Sequence, residues 1–230
     1  ILFLSDNGAS PEIPGGAGYD RNGGTRDGRA ALRERALIRR GDPGLLGSEE
    51  SYTGIGPAWA SAVNTPLRYW KAESYEGGCR TPLIVHWPRG LKRQPGSFVQ
   101  QVGHVIDIAP TCYELAAVTP QQGSLSDGES LAGVLAGGEL ADDRFLFFDH
   151  QHGAGVRRGP WKASKIGENP WELFDVSHDP GETSNLAKRH PQRLQRFVSA
   201  WNQWRAEVEQ KPTDRALRPG SHTGVAAGGN

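Results

Sequence analysis

Ile1-Leu2-Phe3-Leu4-Ser5-Asp6-Asn7-Gly8 begins as an apolar run and breaks abruptly into polar, turn-forming residues. A short run without polar alternation reads as a strand buried on both faces of a parallel sheet, and in such sheets ligands sit just beyond the carboxyl ends of the strands. That reasoning puts Asp6 and Asn7 at a ligand position. Side by side they offer a carboxylate and an amide oxygen, hard donors suited to Ca²⁺ or Mg²⁺, and Gly8 lets the chain turn away. Taken alone, the same residues read more simply as an Asx-type turn after a strand. No Met precedes Ile1, so the true N-terminus is expected to lie upstream of it.

Composition limits what this corner can be part of. The 230 residues include 31 Gly and 16 Pro, a loop-rich mixture, yet 36% are apolar and seven are Trp, enough for one large domain or one and a half small ones. The 26 Lys and Arg balance 26 Asp and Glu. A net charge of zero argues against a broad electrostatic footprint for nucleic acid or an anionic membrane, so any anion site must be local. Cys79 and Cys112 are too few for a disulfide framework and match no zinc spacing. No apolar stretch approaches the ~18 residues of a membrane span. No signal peptide is visible, which leaves localisation open.

Outward from the corner, residues 9–28 are dense in Gly, Pro, Asn and Asp and read as a long surface excursion, and residues 29–40 as an Arg-rich helix with a solvated face. Asn64-Thr65-Pro66 resembles a helix N-cap, predicting a short helix over Leu67–Lys71. Glu76 to Pro82 reads as a tight turn releasing the chain into a strand over Leu83–Trp87. A helix follows from Val105, with Asp107 near its cap and Pro110 in its first turn. After a loop-rich boundary over 119–143 with a short Leu131–Leu135 helix, strands are predicted over 144–150, 155–164 and 171–176. His190 to Gln210 then carries Leu194, Phe197, Val198, Trp201, Trp204 and Val208 on one helical stripe, packing against that small sheet. The expected class is α/β, with residues 1–140 forming part of a catalytic α/β domain. Residues 141–210 are expected to form a small antiparallel sheet plus helix, and 211–230 a disordered tail.

Several separated strings occur in one order: Ser5-Asp6-Asn7-Gly8, Asn64-Thr65-Pro66-Leu67-Arg68 with Lys71, Glu76-Gly77-Gly78-Cys79-Arg80-Thr81-Pro82, His104 to Thr111, Arg157-Arg158-Gly159-Pro160-Trp161-Lys162, Trp171 to Asp175, and Glu182 to Leu186. This order resembles the C-terminal half of type I sulfatases, the arylsulfatase-like enzymes of the alkaline-phosphatase superfamily. The resemblance covers roughly residues 1 to 205 and implies a mixed-sheet sandwich with a small C-terminal subdomain. It implies that Asp6 and Asn7 are metal ligands, Ca²⁺ being the family's usual ion, and that Lys71 contacts an oxygen of a sulfate-ester substrate. Oxygen donors at both positions suit Ca²⁺, whereas imidazole would favour zinc. Asn7 therefore favours sulfate over the phosphate or phosphonate esters cleaved by related hydrolases.

The family's nucleophile is a formylglycine made in a Cys-x-Pro-x-Arg setting. Neither Cys79, followed by Arg80-Thr81-Pro82, nor Cys112, followed by Tyr113-Glu114, has that setting. The formylglycine is expected upstream of Ile1, so this chain alone is expected to be inactive. Asp149, His150 and His152 could bind metal at a strand end, but His152-Gly153-Ala154 departs from the family's usual string. His104 reads as support for the following helix, Arg80 as support for the glycine turn, and Trp70 is assigned to neither cleft nor core. Two further readings stand beside the leading one: a phosphate or phosphonate hydrolase, and a non-catalytic binding module. Neither the particular sulfate ester nor the oligomeric state follows from the sequence; a periplasmic or secreted location is compatible with it.

Overall fold

The computed structural model describes residues 1–12, 55–120, 127–141, 143–150 and 153–210. The predicted helix over 29–40, the tail over 211–230, most of the 9–28 excursion and His152 lie outside the described residues. Two antiparallel sheets and a long C-terminal helix form an α/β fold. The elements are strand β1 (Leu2–Leu4), helices α1 (Gly56–Asn64) and α2 (Glu76–Cys79), and strand β2 (Leu83–Val85). Helices α3 (Ile108–Leu115) and α4 (Ala132–Leu135) follow, then strands β3 (Leu146–His150), β4 (Gly153–Arg158), β5 (Trp161–Ile166) and β6 (Glu172–Asp175), and finally helix α5 (Pro191–Gln210).

The opening run is a strand, but not the buried parallel one expected. β1 pairs antiparallel with β2, with Phe3 opposite Ile84. Phe3 is 68% and Ile84 57% exposed, because among the described residues no layer covers this two-stranded sheet. The Asn64 cap is also corrected. Asn64 is the last residue of α1, and residues 65–75 run as turns rather than a Leu67–Lys71 helix. Tyr69 and Ala72 stand at φ of 63° and 81°, a backbone hand no right-handed helix tolerates. The expected tight turn at Glu76 is instead the single-turn helix α2.

The second sheet is a meander in the order β3-β4-β5-β6. The strand predicted over 155–164 divides into β4 and β5 at Gly159-Pro160, where Gly159 takes φ of 55° and Pro160 lacks a ladder donor. Side chains alternate across the sheet. Val156, Ala163 and Leu173 point to α5 and meet Phe197, with Leu194, Trp171 and Trp201 packed around them. Trp204 stacks on Phe147 at 4.9 Å between ring centroids, so the aromatic stripe of α5 is packing. Lys162 and Ser164 belong to the opposite face, against which the segment around Ser74–Glu76 lies. Gly155 makes that approach feasible: a Cβ there would stand 2.9 Å from the Ser74 Cβ.

Candidate active site

Four hydrogen bonds stitch the Ser5–Ala9 corner to the turns before β2. Thr81 Oγ1 donates to the Ser5 carbonyl at 2.7 Å, and the Gly8 amide donates to the Gly78 carbonyl at 2.9 Å. The Ala9 amide donates to Asn64 Oδ1 at 3.1 Å, and the Lys71 amide donates to the Ala9 carbonyl at 3.0 Å. Asn64 acts as a clamp, its amide nitrogen donating to the carbonyls of Tyr69 at 3.0 Å and Gly77 at 2.9 Å. Gly8 is required by contact rather than by its dihedrals, since a Cβ there would stand 1.7 Å from the Gly77 carbonyl oxygen. The fold thus holds the backbone of the Ser5–Ala9 corner against that of Lys71.

Asp6 is exposed and Asn7 half-buried. Asp6 lines a recess of about 590 Å³ with Phe3, Leu4, Ser5, Pro82 and Val105. Among the described residues neither the Asp6 carboxylate nor the Asn7 side-chain amide has a hydrogen-bond or ion-pair partner. Two oxygen donors of this kind fit a hard cation and would furnish part of the six to eight that Ca²⁺ takes. Among the described residues there is no group of three or more His, Cys, Asp or Glu placed to hold a metal. Lys71 Nζ donates to Glu12 Oε1 at 2.8 Å, both side chains being more than a third exposed. The other Glu12 oxygen, Oε2, is buried with no hydrogen-bond partner among the described residues.

Beneath the corner lies a buried ion cluster that the sequence reading did not anticipate. Lys162 Nζ, fully buried, stands 2.9 Å from Glu76 Oε1 and 3.6 Å from Glu182 Oε1. Arg157 reaches Glu76 Oε2 at 3.2 Å and Arg80 reaches it at 3.7 Å, so Arg80 supports this turn as expected. The Glu76 amide donates to Glu182 Oε2 at 2.7 Å. Burial pushes the Glu76 carboxyl up, but Lys162 and Arg157 outweigh it and hold Glu76 below its ordinary value. Glu182, with less cationic support, is pushed up by burial. A signal for the cluster existed: a charged residue inside strand β5, on a face that must be covered, needs a counter-charge. Glu12 carried no comparable signal.

The remaining candidates are structural or stand apart. Cys79 donates its thiol toward the Glu73 carbonyl at 3.6 Å, and burial pushes that thiol up to about 11, so it stays protonated. Cys112 is an exposed residue of α3. His104 supports the following helix: its Nδ1 accepts from the Ile106 amide at 3.3 Å while Asp107 Oδ2 accepts from the His104 amide at 2.7 Å. Asp107, fully buried, is gripped by both terminal nitrogens of Arg144. His150 is exposed at the end of β3.

Residues 68–206 match the family model described as N-sulphoglucosamine sulphohydrolase, C-terminal. The chain belongs to the sulfatase family. An uncharacterized sulfatase of Schizosaccharomyces pombe is 31% identical over 226 residues, covering 90% of this chain and 38% of that protein. A sulfatase of Formosa agariphila is 31% identical over 159 residues, covering 61% of this chain and 28% of that protein. The crystal structure of Ps i-CgsB superposes with a TM-score of 0.59 at 26% identity, covering 65% of this chain and 34% of that one. This sulfatase chain therefore spans about a third of the length of such relatives. The matched segment contains Lys71, Glu76, Lys162 and Glu182 and leaves Asp6 and Asn7 outside it.

Proposed function

We propose that this chain supplies part of the active site of a sulfuric-ester hydrolase, with Asp6 and Asn7 as oxygen ligands for Ca²⁺ and Lys71 as the contact for a sulfate oxygen. The observation that carries this reading is the set of hydrogen bonds holding the Asp6–Asn7 corner against the Lys71 backbone. Ca²⁺, when bound, supplies positive charge where negative charge develops on the ester oxygens. A sulfate monoester carries one negative charge at neutral pH, and cleavage builds more on the sulfuryl and leaving oxygens. The Lys71 ammonium stabilises that build-up. Its ion pair with Glu12 is partly exposed, and such pairs are worth little, so an incoming oxyanion exchanges for Glu12 at small cost.

No nucleophile is assigned to this chain: the Cys79 thiol is held protonated, and neither cysteine has the sequence setting for formylglycine. The formylglycine is assigned to the rest of the parent protein, and the chain alone is proposed to be inactive. In the whole protein, Lys71→Ala and Asp6→Ala should each lower aryl sulfate hydrolysis by about 10²- to 10³-fold, the usual loss for one charge-stabilising group. An unchanged rate in either variant refutes the site. An aryl phosphate cleaved faster than the matching aryl sulfate would transfer the assignment to phosphoryl esters.

A further inference from the structure

A recess of about 900 Å³ lies away from the Asp6 corner, between the β4–β5 turn and the start of α5. We propose that it is a second anion site that takes sulfate groups of a polysaccharide chain. Its lining includes Arg158, Arg189, Arg193, Arg196, His190 and Trp161, against a single carboxylate, Asp143. Among the described residues none of these four guanidinium groups has an ion-pair partner, in a chain whose net charge is zero. Such a local excess of cations around a concavity is what the neutral overall charge required of any anion site.

Two of the guanidinium groups are also oriented in advance. Arg193 lies over the Trp161 ring at 4.0 Å from its centroid, and Arg158 over Phe145 at 5.0 Å. Stacking on an aromatic face leaves the in-plane N–H groups free for the oxygens of a sulfate or carboxylate. Pro191, Gln192 and Arg193 begin the 20-residue helix α5, so its positive end opens on the same recess.

The distance to the proposed active site selects a polymer. Gly153, at one end of β4, packs on Ala72 and Ser74 beside Lys71, and Arg158 is five residues further along the strand. At about 3.4 Å per residue the strand alone separates the two by roughly 17 Å, and they lie on opposite faces of the sheet. One sulfate group cannot touch both; a chain with repeated sulfates that passes round the edge of the sheet engages both and gains from the linked contacts. Choosing a sulfated polymer rests on the hydrolase reading above, whereas the preference for oxyanions does not. Nucleic acid is disfavoured because Arg193 occupies a face of Trp161 and His190 packs on the ring at 5.1 Å, leaving little for base stacking.

The test measures binding of fluorescein-labelled dextran sulfate to the protein at constant ionic strength, with uncharged dextran and single-stranded DNA as competitors. Arg193→Gln/Arg196→Gln should weaken dextran sulfate binding about tenfold or more, as expected for losing two charge-assisted contacts. Thermal unfolding should fall by no more than a few degrees, since both side chains are exposed and only the Arg193 contact with Trp161 is lost. Aryl sulfate hydrolysis by the whole protein should be unaffected. Unchanged affinity in the double variant, or equal binding of uncharged dextran, overturns the site. Stronger competition by DNA than by unlabelled dextran sulfate overturns its assignment to a polysaccharide. A protein that binds dextran sulfate through these arginines but cleaves no aryl sulfate keeps the anion site and refutes the hydrolase reading instead.

Discussion

Replacing Lys162 by Met gives the most direct measure of what holds the proposed active-site corner in place. Lys162 is fully buried and is the only cation within ion-pair distance of Glu182 among the described residues; it also shares Glu76 with Arg157 and Arg80. Met preserves much of the side-chain volume and removes the charge, leaving two carboxylates with 1% exposure each. Breaking a buried pair from one side typically costs about 3–5 kcal/mol, because the surviving charge stays desolvated. At roughly 2–4 °C per kcal/mol for a chain of this size, the unfolding temperature should fall by roughly 6–20 °C. Urea titration followed by tryptophan fluorescence provides the matching free energy, Trp161, Trp171, Trp201 and Trp204 all lying in the unit that Lys162 anchors. The double variant Lys162→Met/Glu76→Gln should be less destabilised than the sum of the single variants, because each removes the charge the other leaves stranded. A Lys162→Met midpoint within error of wild type, or strict additivity in the double variant, refutes the anchoring role.

Gly8→Ala should place a methyl group where the Gly77 carbonyl now sits, costing about 1–3 kcal/mol by overpacking and lowering Ca²⁺ affinity, readable by calorimetric titration. An unaltered affinity would mean the corner bends freely. Burial holds the His104 imidazole below its ordinary value of 6.5, and its Nδ1 must stay unprotonated to accept from Ile106. The unfolded chain therefore takes up a proton more readily, and stability should fall as pH drops below about 6.5; His104→Gln should flatten that limb of the pH–stability curve. Burial pushes the Asp107 carboxyl up, but Arg144 and two backbone amides outweigh it and hold it below 3.8. Its contribution is thus present above that pH and should be lost as pH falls through the lowered folded value, a second, more acidic limb that Asp107→Asn removes.

Much of the fold was legible because its signals are local. The α5 stripe, the β3–β6 meander and the polar break after Leu4 each follow from a repeat or a turn residue within a few positions. The partner of β1 was not, since Leu2–Leu4 and Leu83–Val85 look alike whichever way they run. The break between β4 and β5 has a local sign, Gly159-Pro160, a turn pair that ends one strand and starts the next. The missing Leu67–Lys71 helix had none. Its backbone is turned by contacts with Asn64 and with the far end of the chain, where the Glu182 carbonyl accepts from Arg68 at 3.2 Å. At the candidate site, donor chemistry singles out Asp6 and Asn7, and the order of the strings adds Lys71. Glu76, Lys162 and Glu182 were not joined, because nothing local pairs charges separated by so much sequence.

That separation bears on how the protein is made. Glu76 and Lys162 are 86 positions apart, and the Gly77–Gly78 turn beside Glu76 is the seat for Gly8. At roughly 5–20 residues per second, ribosomes deliver Lys162 roughly 4–17 s after Glu76. During that interval Glu76 lacks the cation nearest to it, and the corner has no anchored turn to settle on. This chain's share of the proposed site is thus completed by strand β5, so truncated nascent chains ending before β5 should leave the Ser5–Ala9 corner without its anchored turn.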